Sequence, residues 1–207
     1  MDTATALAWL RAAAAAVERQ HEQLSELDAA IGDGDHGTNL RRGFAAVTEA
    51  LDKLPAGQSA GAVLSAAGTT LLSKVGGASG PLYGGALRAA GAAFPVPSAD
   101  LDGLAGALRA GLTKVCQLGG AAPGDKTMVD AFEPAVAALE RAAEDGFTLR
   151  EAAALAAEAA ERGARATIPM QARKGRASYL GPRSVGHQDP GATSTALIFR
   201  ALAEVAR

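Results

Sequence analysis

The sequence predicts an all-α fold in which eight helices run alternately up and down. Three observations carry that expectation. Alanine dominates the chain, aromatic residues make up 4%, and β-branched clusters are few, a composition that favours helix over strand. Apolar positions recur at three- and four-residue spacing rather than at two. Clusters of Gly, Pro, Ser and Asp divide this pattern into eight segments.

In order, the expected helices cover 3–27, 38–53, 58–74, 80–93, 100–118, 126–144, 148–165 and 191–206. At ~1.5 Å per residue they are about 20–37 Å long. Alanine on the buried faces lets helix axes approach closely. The loops after the second, fourth and sixth helices (LPAGQS, FPVPSAD, EDGFT) read as ordinary turns, with Ser or Asp placed to cap the next helix. The loops after the first, third, fifth and seventh differ. They read DAAIGDGDHGTN, SKVGGASGPLYGG, LGGAAPGDKTMVD and MQARKGRASYLGPRSVGHQDPGATS. They hold much of the chain's glycine and its uncommon charged residues.

Bulk properties narrow the class. A chain of 207 residues is long enough for one well-packed domain, here taken as residues 1–207. With 48% hydrophobic and 20% charged residues it is globular rather than disordered. A net charge of -2 argues against a nucleic-acid binder. The lone Cys116 forms no internal disulfide and no zinc site by itself, and reads as a small core or surface residue. No secretory signal is visible, and no apolar run approaches the ~18–20 residues that cross a bilayer. The expected location is the cytoplasm, with no membrane partner.

Short connections make consecutive helices antiparallel, so every odd-to-even loop lies at one end. The four rich loops are those four. The same face collects the N-termini of helices 2, 4, 6 and 8, whose unpaired N–H groups favour phosphate oxygens.

The first rich loop carries Asp28, Asp33 and Asp35 within eight residues. They are hard oxygen ligands suited to Mg²⁺, and their charges repel unless a cation neutralises them. A solvated acidic turn with a helix cap is the alternative reading; an EF-hand lacks its downstream glutamate. His36 can meet a phosphate or base, or be structural. Thr38 or Asn39 can cap the second helix or donate to a phosphate. In the second loop, Gly76–Pro81 opens a helix without forming a Walker A or dinucleotide-binding pattern. In the third, Asp125 reads as a cap, Lys126 as a solvated lysine, and Met128 as an adenine contact or core. The fourth, Thr167–Thr195, is long and basic, with Arg173, Lys174, Arg176, Arg183 and His187 before Asp189–Pro190. Such loops are usually functional, and arginine suits bidentate phosphate contacts. Asp189–Pro190 reads as N-cap and first helical residue. Carboxylates, cations and helix N-termini on one face together suit a magnesium–nucleotide complex.

These stretches resemble the nucleotide-binding (L) subunit of bacterial dihydroxyacetone kinase. LDAAIGDGDHGTNLRRGF, TLLSKVGGASGPLYG, PGDKTMVDAFEPA and TIPMQARKGRASYLGPRSVGHQDPGATS follow the family's order and span most of the chain. The resemblance implies a closed barrel of eight antiparallel helices with the nucleotide at one end. It implies two Mg²⁺ ions on Asp28, Asp33 and Asp35, and ADP or ATP contacts on His36, Thr38, Asn39, Gly77, Ala78, Ser79, Met128, Arg176, Asp189 and Gly191. The implied catalytic set is the three aspartates with Arg176. The implied partners are a dihydroxyacetone-binding kinase subunit, which accepts the phosphate, and a phosphotransferase-system protein, which restores it from phosphoenolpyruvate. His36 after GDGD, where the ATP-exchanging branch tends to have cysteine, resembles the phosphoenolpyruvate-fed branch. The chain is then expected to be inactive on substrate alone. The alternatives are an ATP-exchanging subunit for another ketose or polyol, and a non-catalytic nucleotide-binding regulator.

Overall fold

A computed structural model describes residues 1–94 and 98–206. The expected loop 94–100 therefore falls partly outside the described residues, at 95–97. Among the described residues eight α-helices follow one another: α1 (Thr3–Ile31), α2 (His36–Asp52), α3 (Ala60–Lys74), α4 (Ser79–Ala93), α5 (Leu101–Gly119), α6 (Val129–Glu144), α7 (Leu149–Ala166) and α8 (Pro190–Val205). A 3₁₀ segment, Arg176–Ser184, lies between α7 and α8 and is interrupted at Gly181. Each helix packs on its chain neighbours, and α8 also packs on α1, so the antiparallel helices close into a ring. The all-α barrel expected of the sequence is the observed architecture.

Local chemistry sets most helix starts. Asp2, Ser59, Asp100 and Asp189 each accept a hydrogen bond from a backbone N–H in the first turn of α1, α3, α5 and α8. Thr148 and Glu151 form a reciprocal capping box on α7. The ring interior is apolar, with Trp9, Phe44, Leu64, Leu104 and Leu139 fully buried. Phe132 and Phe199 meet edge to face at 5.5 Å. At the seam, Trp9 Nε1 donates to the Ile198 carbonyl at 2.8 Å, tying α1 to α8. Small residues let α3 and α4 approach closely: a Cβ on Gly68 would lie 2.6 Å from the Gly84 carbonyl oxygen.

Three boundaries differ from the sequence expectation in ways that matter. Helix α1 continues to Ile31 rather than 27, so Asp28 rides on a helix and not in a loop. Helix α2 starts at His36 rather than 38, which leaves Thr38 and Asn39 inside its first turn and not at its cap. Helix α6 starts at Val129 rather than 126, because residues 124–128 form tight turns first, with Gly124 and Lys126 at positive φ. Pro134 lies within α6 and cannot donate to the Asp130 carbonyl. Helix α7 comes close at that point: a Cβ on Gly163 would overlap the same oxygen. Among the described residues no helix is long and apolar enough to cross a membrane.

Candidate functional site

The four rich loops meet at one end of the ring, around a cavity of about 250 Å³. The end of α1 and the starts of α2, α4 and α8 reach it. Asp28, Asp33 and Asp35 converge on one side. One carboxylate oxygen from each lies within 4.8 Å of the others. Gly34, at φ 77, makes the turn that brings Asp33 and Asp35 back toward Asp28. Asp28 also accepts from the His36 amide at 3.2 Å and so caps α2, the role expected of Thr38 or Asn39. Burial pushes the Asp28 carboxyl above its usual range; the His36 amide opposes this, and the Asp33 and Asp35 charges add to it. The donors are all hard oxygens, and glycine at position 32 leaves Asp28 its space, since a Cβ there would overlap Asp28 Oδ1. The set fits a Mg²⁺-type cation. The one ion pair of the triplet among the described residues joins Arg176 Nη2 to Asp33 Oδ2 at 3.1 Å.

A chain of hydroxyls runs from the cavity into the barrel. His36 Nδ1 is 3.1 Å from Ser79 Oγ, and its Nε2 is 2.8 Å from Ser194 Oγ. Ser194 Oγ is 2.7 Å from the Tyr83 hydroxyl, which is 2.9 Å from Thr195 Oγ1. The Gly191 carbonyl accepts at the centre of this group. Burial pushes the His36 imidazole down to about 4, so it is a neutral link between α4 and α8 at pH 7. Burial pushes the Tyr83 phenol up to about 12.

The third loop corrects the sequence reading. Asp125 accepts from the Ala122 amide within the loop and does not cap α6. The N-cap position of α6 is Met128, with no side-chain cap, and the Asp130 carboxylate in the first turn reaches back to accept from the Gly124 and Thr127 amides of the loop. Lys126 is not solvated. It is 1% exposed, and its ammonium donates to the carbonyls of Thr167 and His187. Asp189 caps α8 as expected, accepting from Ala192 at 2.7 Å. Burial pushes its carboxyl up to about 7, against the pull of the Ala192 hydrogen bond.

The remaining wall is apolar, with Ile31, Leu82, Val115, Ala121, Met128 and Val129. A flat aromatic ring can lie against it, while anionic groups find Lys174, Arg176 and the starts of α4 and α8.

Of the residues singled out in the sequence, Asp28, Asp33, Asp35, His36, Gly77, Ala78, Ser79, Met128, Arg176, Asp189 and Gly191 all line this cavity. Thr38 and Asn39 do not. Thr38 is exposed, and buried Asn39 accepts from Arg42 at 3.0 Å. Arg173, Arg183 and His187 are exposed away from the lining. Sequence reasoning missed Leu82, Tyr83, Val115 and the buried state of Lys126. Tyr83 and Leu82 carry a usable signal: both lie within one turn of Gly80–Pro81, where α4 enters the cavity. The burial of Lys126 carries none, because it depends on a left-handed turn.

The DAK2 domain model matches residues 30–204. The chain is 46% identical over 200 residues to the ADP-binding subunit of the PEP-dependent dihydroxyacetone kinase of Escherichia coli, covering 96% of this chain and 95% of that one. It is 43% identical to the corresponding subunit of PEP-dependent dihydroxyacetone kinase 1 of Listeria innocua, covering 95% and 93%. Among solved structures, the dihydroxyacetone kinase from C. freundii in complex with AMP-PNP and Mg²⁺ superposes with a TM-score of 0.75 at 28% identity, over 97% of this chain. The chain spans 34% of that larger protein.

Proposed function

The chain belongs to the DAK2 domain family, and from that premise we propose that it is the ADP-binding subunit of a dihydroxyacetone kinase. It carries a magnesium–nucleotide complex whose terminal phosphate passes to dihydroxyacetone on a partner subunit. The observation that carries the reading is the convergence at one barrel mouth of three carboxylates, two basic side chains, helix starts and an apolar wall. The near-complete mutual coverage with ADP-binding subunits of PEP-dependent kinases supports the finer statement. In this reading ADP stays bound and is rephosphorylated from phosphoenolpyruvate through a phosphotransferase-system protein. Residues 1–207 act as one nucleotide-binding domain.

Asp28, Asp33 and Asp35 would hold two Mg²⁺ ions, which when bound would supply charge neutralisation to the phosphate oxygens. Arg176, beside Asp33, and Lys174 at the cavity lining would pair with the phosphates. The backbone N–H groups of Gly77–Ser79 at the start of α4, and that of Gly191 at the start of α8, would face the same oxygens. Met128, Leu82 and Val115 hold the base and keep water from that wall. His36 fixes the α4 start against α8 and holds no charge of its own. Phosphoryl transfer asks a protein mainly for alignment and electrostatic stabilisation, and these residues provide both.

The test is transfer itself. Radiolabelled phosphate on the bound nucleotide should appear in dihydroxyacetone phosphate only when a dihydroxyacetone-binding subunit is added. No transfer to dihydroxyacetone in the presence of that subunit would reject the kinase assignment.

A further inference from the structure

Lys126 is the one non-glycine residue with left-handed backbone, at φ 61, among the described residues. That conformation disfavours any residue with a Cβ. Its ammonium is also buried, which is costly unless every donor finds an acceptor or an opposite charge. The ammonium donates to the Thr167 carbonyl at 2.6 Å, at the C-terminus of α7, and to the His187 carbonyl. A cation at a helix C-terminus is favourable. The carboxyl groups of buried Asp130 and Asp189 lie nearby. A turn with no further role takes glycine here, as at Gly124 two residues earlier, at φ 92.

Thr167 and His187 are the two ends of the fourth loop. Other contacts close the same base: the Asp189 amide donates to Thr167 Oγ1 at 2.9 Å, and the Gly186 amide to the Ile168 carbonyl at 2.8 Å. Beyond the base the loop is lightly held. It packs a small apolar cluster of Ala172, Ala177 and Leu180 on Ile31, apart from the main core. The Arg173 amide donates to Asp125, beside Lys126. At its inner edge stand Lys174 and Arg176.

We infer that Lys126 is a positioning residue that clamps both ends of the fourth loop, so that Arg176 reaches the aspartate triplet and Lys174 lines the cavity. The inference rests on the nucleotide reading above for its consequence and on the loop geometry for itself. Lys126 ties the third loop, the end of α7 and the start of α8 into one wall. Without it the loop keeps its sequence and its charges but loses its placement, and bound nucleotide escapes faster.

The experiment compares Lys126→Met with the parent chain, and Lys126→Gln serves if the methionine variant does not fold. Amide hydrogen exchange on the nucleotide-free proteins should be about tenfold faster over 171–187, with the α1–α8 core amides unchanged. Dissociation of a fluorescent ADP analogue in Mg²⁺ should speed up by a similar factor, with association much less affected. Lys126→Arg, which keeps the cation, should lie closer to the parent in both readings. Unchanged exchange over 171–187, or equal loss of protection throughout the barrel, would overturn the clamp. Should the parent bind no nucleotide, the proposed function falls, while the exchange measurement still decides the clamp.

Discussion

Arg176 Nη2 lies 3.1 Å from Asp33 Oδ2, so a side chain of the fourth loop neutralises part of the acidic triplet in the first. Both side chains are substantially exposed, at 67% and 38%, so the pair itself adds about 0–1 kcal/mol to stability. The guanidinium and a metal ion claim the same carboxylate, and the guanidinium and a phosphate claim each other.

Arg176→Gln should therefore have opposite effects on two ligands. Magnesium alone should bind the nucleotide-free chain more tightly, because a competing cation is gone. Magnesium–ADP should bind more weakly, by about 1.5–3 kcal/mol for a lost charged hydrogen bond. Isothermal titration of both ligands checks this. A change of the same sign for both would contradict it.

Asp33→Ala removes one of the three carboxylates from an exposed turn. Stability without ligand should shift by less than about 0.5 kcal/mol. The gain on adding nucleotide and Mg²⁺, about 2.7 kcal/mol at a hundredfold excess over Kd in the parent, should largely vanish. Thermal unfolding with and without EDTA reads both numbers. Equal ligand stabilisation in parent and variant would remove the triplet from the site.

Asp189 gives a pH dependence with a defined sign. Its carboxyl is raised from 3.8 to about 7, chiefly by burial. Between those values the folded chain keeps a proton that the unfolded chain has released, so stability falls as pH rises through the window and levels off above it. Asp189→Asn still caps α8, since asparagine is an equally good N-cap. Urea unfolding between pH 4.5 and 7.5 should show the parent losing on the order of 1–4 kcal/mol relative to the variant. Parallel pH profiles would show that Asp189 is ionised throughout.

Gly68→Ala tests the closeness of α3 and α4. On an open helix face this change gains up to about 1 kcal/mol. Here the new Cβ would lie 2.6 Å from the Gly84 oxygen and 2.7 Å from the Arg88 nitrogen, both backbone atoms. The helices must part, and denaturant unfolding should show a loss of about 1–3 kcal/mol. A stabilised variant would mean that the two helices are not in that contact.

The helix order and the shared mouth were legible because helix period and loop composition are local signals. Loop order then placed Asp33, Ser79, Met128 and Asp189 on one face without any contact being known. What was not legible depends on tertiary packing. Asp28 reads as a loop residue because Gly32 and Gly34 suggest an early end to α1, yet Ile31 packs under Ala172, Ala177 and Leu180 and draws the helix on. Lys126 reads as solvated because lysine usually is. Only the meeting of α7 with the fourth loop supplies the carbonyls that bury it. The Tyr83–Ser194–His36 chain joins residues more than a hundred positions apart, which no window of sequence reveals.

The proposed function requires that this barrel mouth hold a magnesium–adenine nucleotide. Native mass spectrometry of the purified chain, mixed with ADP and Mg²⁺ and then extensively dialysed, tests it most directly. One nucleotide with Mg²⁺ should be retained per chain, released by EDTA and absent from Asp33→Ala. A chain that takes up neither ADP nor ATP in the presence of Mg²⁺ would contradict it.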